Sequence, residues 1–97
     1  MKVLVVDDEK LARDRLIRMV SSLEGYEVAG EASCGEDALR NAIMLDPDIV
    51  LLDIRMPGMD SLTVAERLSS LESPPALIFC TAFSEHAVAA FDTLASG

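Results

Sequence analysis

The chain has 97 residues, room for one domain, and a hydrophobic fraction of 51% that suffices for a core. It carries 8 Lys and Arg against 17 Asp and Glu, a net charge of -9, so its surface repels phosphate backbones and direct nucleic-acid binding is not expected. Residues 1–6 are too short for a secretory signal and no apolar run can cross a bilayer; a cytoplasmic protein is expected, with Cys34 and Cys80 as reduced thiols.

In chain order, Val3, Leu4, Val5 and Val6 form a continuous apolar stretch. Such a run predicts a strand buried on both faces, the mark of a parallel sheet. Ala12, Leu16, Met19, Val20 and Leu23 then fall on one helix face, with Arg13, Asp14 and Arg18 off it. Residues 26–32 mix glutamates with apolar side chains, as a half-exposed edge strand does. Ser33-Cys34-Gly35-Glu36 fits a capping box, followed by an apolar stripe of Ala38, Leu39, Ala42, Ile43 and Leu45, and Pro47 closes that helix. Ile49, Val50, Leu51 and Leu52 predict a second buried strand. Asp60 can cap a third helix carrying Leu62, Ala65 and Leu68. Leu77, Ile78, Phe79 and Cys80 predict a third buried run, and Ser84 can cap a fourth helix carrying Val88, Phe91 and Leu94. The order βαβαβαβα implies an α/β fold with a doubly wound parallel sheet and right-handed crossovers. Ligands of such sheets bind beyond the carboxyl ends of the strands, where strand order reverses.

The residues at those ends are distinctive. Asp7 and Asp8 follow the first strand, Asp53 the third and Thr81 the fourth. Two carboxylates ~5 Å apart repel by about 3 kcal/mol at an effective dielectric of ~20. The cations near in sequence are Lys10 and Arg55. Either the pKa values rise or a cation settles the repulsion. An all-oxygen donor set suits Mg²⁺, and an Asp beside such an ion can act as nucleophile toward phosphorus. Asp53 is the best nucleophile candidate, because it ends the most hydrophobic strand; Asp7 and Asp8 then serve the metal. Helix capping would account for Asp8 alone, but not for Asp53.

Three motifs carry a resemblance. They are Val3-Leu4-Val5-Val6-Asp7-Asp8-Glu9, Asp48-Ile49-Val50-Leu51-Leu52-Asp53-Ile54-Arg55-Met56-Pro57-Gly58-Met59-Asp60, and Phe79-Cys80-Thr81-Ala82. Together they resemble the receiver domain of bacterial response regulators, whose fold is flavodoxin-like. The resemblance implies that Asp53 is the phosphoacceptor, charged from a phosphohistidine on a sensor histidine kinase. It implies Mg²⁺ held by Asp53, directly by Asp8, mainly through water by Asp7, and by the Arg55 backbone carbonyl. Thr81 would be the switch hydroxyl, and Ala82 the small residue giving access to Asp53. Leu11-Ala12-Arg13 and residues 84–91 look most like the subgroup with a LytTR-type output domain.

Two departures from the family pattern stand out. The family has a fifth strand, which carries an aromatic switch residue and is followed by an essential Lys. Gly97 lies about where that strand begins, and neither Lys2 nor Lys10 matches the Lys. Residues 1–97 therefore read as a C-terminally incomplete receiver, with the output domain outside this chain. The fourth strand would be an apolar edge, and self-association or a homodimer through it is expected. Ser61 stands where the family usually has Gly. His86, Cys34, Met56, Met59 and Glu9 are read as surface or structural residues. Rival functions are a degenerate receiver that only binds proteins, a Mg²⁺-dependent phosphohydrolase with an aspartyl-phosphate intermediate, and a flavodoxin-like cofactor binder. Arg55, where the phosphohydrolase would carry a second acid, argues against that enzyme, and Asp7-Asp8-Glu9 against a phosphate-cradling loop.

Overall fold

Residues 1–53 and 61–80 are described by the computed structural model of the chain. They alternate strand and helix: β1 (Lys2–Val6), α1 (Lys10–Ser22), β2 (Glu27–Ala32), α2 (Gly35–Leu45), β3 (Ile49–Asp53), α3 (Ser61–Ser69) and β4 (Ala76–Cys80). The strands form one parallel sheet in the order β2-β1-β3-β4. The chain moves outward from β1 to β2, then crosses back over β1 to β3. Strand order therefore reverses between β1 and β3, the crevice where such sheets take ligands.

The two central strands are the buried ones. Val3, Leu4, Val5 and Val6 of β1 and every residue of β3 are buried, as their unbroken apolar runs predict. Side chains alternate across the sheet and divide the core in two. Val3, Val5, Ile49 and Leu51 meet Leu16 and Val20 of α1 on one face. Leu4, Val6, Val50 and Leu52 meet Ala38 and Ala42 of α2 and Val64, Ala65 and Leu68 of α3 on the other. Full burial of one such leucine or valine stabilises the fold by roughly 1.5–3 kcal/mol.

Other elements depart from expectation in instructive ways. β4 is not buried on both faces: Leu77 and Ile78 are half-buried and Phe79 is exposed, and among the described residues β4 pairs with β3 alone. α2 begins at Cys34 as N-cap with no side-chain capping bond, so the Ser33 capping box does not form. Of the expected stripes, Ala38, Ala42, Ala65 and Leu68 are buried against the sheet, joined by Val64, whereas Ile43 and Leu62 are 67% and 71% exposed. α2 ends as expected, with Asp46 in the left-handed region (φ 48°) just before Pro47. Gly30 lets this last turn of α2 lie close on β2, since a Cβ there would come within 2.7 Å of the Leu45 Cδ1. Asp60 and the expected fourth helix from Ser84 lie outside the described residues.

Candidate functional site

The register of β1 on β3 pairs Val6 with Leu52, so the next step brings Asp7 beside Asp53. In the strand alternation, Asp53 shares the parity of Ile49 and Leu51, which face α1. Asp7 and Asp53 are both buried, at 4% exposure, whereas Asp8 is exposed. One carboxylate oxygen from each of Asp7, Asp8 and Asp53 lies within 4.8 Å of the others. The cluster expected from sequence is thus formed by residues 46 positions apart, through strand pairing rather than a local charge run.

Asp7 feels this crowding. Burial is the chief cause that pushes its carboxyl up, to about 6, with the charges of Asp53 and Asp8 and a hydrogen bond to the Asp53 side chain adding to the rise. The Glu9 backbone N–H donates to the Asp7 Oδ1 at 2.9 Å and partly offsets it. That bond is a short turn at the start of α1. The N-cap of α1 is Glu9, so neither Asp7 nor Asp8 is held there as the capping residue.

Among the described residues, the cation beside the site is Arg13 rather than Lys10, which is nearer in sequence. Lys10 pairs with Asp14 at 3.0 Å on the outside of α1. Arg13, placed off the inner face by helical periodicity, instead lies against the sheet end with its side chain only 13% exposed. Its Nη1 donates to the Asp7 backbone carbonyl at 2.8 Å, and its Nε donates to the Glu31 Oε1 at 2.8 Å. Sequence reasoning missed this role, because its partner Glu31 is 18 residues away on β2. Arg55, Thr81 and Ala82 lie outside the described residues.

Donor chemistry fits a divalent cation. Three carboxylates converge where a doubly charged ion would relieve their mutual repulsion, and all-oxygen sites of this kind suit Mg²⁺ with retained waters. Comparison with known proteins decides the family: residues 3–97 match the model of the response regulator receiver domain. The chain belongs to the response regulator receiver domains. This receiver is 59% identical to the positive alginate biosynthesis regulatory protein of Pseudomonas aeruginosa, over 100% of the chain and 40% of that protein. It is 44% identical to the sensory transduction protein LytT of Bacillus cereus, over 95% of the chain and 37% of that protein. Both fit the LytTR-type subgroup that the resemblance suggested. The receiver thus spans two fifths or less of the length of these curated relatives. Among solved structures it is similar to the response regulator domain of Thermotoga maritima CheB. The TM-score is 0.78 and the identity 29%, with 99% of this chain and 69% of that one covered. A phosphoryl-accepting signalling role fits this family, and neither the degenerate receiver that only binds proteins nor the phosphohydrolase is favoured.

Proposed function

We propose that this receiver is a phosphorylation switch in which Asp53 accepts a phosphoryl group from a phosphohistidine on a sensor histidine kinase. The observation that carries this is the convergence of Asp7, Asp8 and Asp53 at the β1–β3 crevice. One Asp53 oxygen bonds to phosphorus as the P–N bond of the phosphohistidine breaks, and the imidazole nitrogen leaves with the electron pair. Asp53 suits the role because all of β3 is buried and holds its carboxylate in place. Asp7, Asp8 and Asp53 would hold Mg²⁺, with the Arg55 backbone carbonyl as a further ligand. The bound ion supplies neutralising charge to the phosphoryl oxygens. Thr81 would then reach the phosphoryl group through its hydroxyl, and Ala82 would leave Asp53 accessible.

The receiver itself is a switch rather than an enzyme, and its output is carried by a LytTR-type domain outside this chain. The net charge of -9 supports leaving nucleic-acid contact to another domain. Among the described residues no helix is long and apolar enough to cross a membrane, and a cytoplasmic site of action completes the proposal. Incubation with Mg²⁺ and acetyl phosphate, followed by intact mass, tests it. One phosphoryl adduct is expected, lost with excess EDTA and lost in Asp53→Ala. An adduct of equal yield in Asp53→Ala would refute the assignment.

A further inference from the structure

We propose that Arg13 is a positioning residue for the metal site: its guanidinium fixes the main chain that presents the Asp7 and Asp8 carboxylates. The inference rests on the metal-binding reading of Asp7, Asp8 and Asp53. Asp7 is the first residue beyond β1, where the ladder of the sheet ends. Its N–H still donates to the Ala32 carbonyl at 3.1 Å, continuing the pairing with β2. Its carbonyl instead receives the Arg13 Nη1 at 2.8 Å. Both main-chain polar groups of Asp7 are therefore held, and the peptide plane joining Asp7 to Asp8 is fixed in orientation. That plane sets the direction in which each carboxylate leaves the chain.

Arg13 is itself braced. Its Nε donates to the Glu31 Oε1 at 2.8 Å, and the Glu31 main chain is tied to α2, since the Asn41 Nδ2 donates to the Glu31 carbonyl at 3.0 Å. The fork thus couples α1, the end of β1 and the end of β2 in one planar group. A planar guanidinium does this with two donors fixed relative to each other, whereas an ammonium is a single point of charge.

Charge and geometry predict opposite signs here. A cation beside the Asp7 main chain disfavours a second cation at the cluster, so Arg13 acting through charge alone would weaken metal binding, and its removal would tighten it. Arg13 acting through position strengthens binding, and its removal weakens it. Residues that orient ligands from behind commonly change metal affinity 10-fold or more.

The test is the dissociation constant of Mn²⁺, measured by electron paramagnetic resonance as a stand-in for Mg²⁺, at a temperature where circular dichroism shows each variant folded. Arg13→Lys keeps the charge and loses the fork; Arg13→Met loses both. Each is expected to bind Mn²⁺ about 10-fold more weakly than wild type. Leu68→Ala, on the face of the sheet away from α1, serves as a stability control expected to bind as wild type. Should Arg13→Met fail to fold, Arg13→Lys carries the test alone. Wild-type affinity in Arg13→Lys, tighter binding in Arg13→Met, or equal weakening in Leu68→Ala would overturn the role of Arg13 while leaving the metal site standing. No Mn²⁺ binding by wild type would remove the metal site, and this inference with it.

Discussion

Asp7 is buried beside Asp53 and Asp8, and its carboxyl is pushed up to about 6, first by burial and then by those neighbouring charges. In the metal-free fold it therefore holds its proton more tightly than in the unfolded chain. Between about pH 4 and pH 6 Asp7 is more protonated in the folded state than in the unfolded one, so its contribution to stability falls as pH rises through that window. The contribution is fully present below the window and lost above it. Asp7→Asn keeps an oxygen to accept the Glu9 N–H and removes the charge. Urea unfolding in EDTA should show the variant gaining on wild type as pH is raised from 4 to 7. A stability difference that stays flat over that range would contradict the stated cause. Sequence alone made the repulsion legible, because Asp7, Asp8 and Asp53 each follow an apolar run. It could not show that Arg13, rather than Lys10, lies by the cluster. That depends on how α1 packs over the ends of β1 and β2, a tertiary fact with no local pattern.

β1 and β3 were readable because a strand buried on both faces has no polar positions to blur it. β2 was readable for the opposite reason, its glutamates marking an edge. Helix faces were harder. α3 has nine residues, and so short a span fixes the edge of its apolar stripe poorly. Of the expected stripe Leu62, Ala65 and Leu68, the first is 71% exposed, while Leu68 is fully buried against the sheet with Val64, which the stripe left out. The two positions should therefore respond differently to the same substitution. Leu68→Ala is expected to cost about 2–5 kcal/mol through lost burial and the space left behind. Leu62→Ala should stay within about 0.5 kcal/mol of wild type. Chemical denaturation of both variants checks this, and equal costs would mean that α3 is rotated on the sheet. β4 shows a further limit, since an apolar run tells that a strand exists but not how many neighbours cover it.

The fold as a whole does one thing for the site: it brings Asp7 and Asp53 from sequence positions far apart to adjacent strand ends. That followed from the alternation of strands and helices together with the rule that ligands sit where strand order reverses. The crossing from β2 back over β1 to β3 makes that crevice, and the three carboxylates line it. An aspartyl phosphate is an acyl phosphate, so borohydride reduces the modified residue to homoserine and marks its place in the chain. Peptide mapping of the protein after Mg²⁺, acetyl phosphate and borohydride should find homoserine at position 53, and Asp7 and Asp8 unchanged. Homoserine at position 7 or 8 with Asp53 intact would contradict the account.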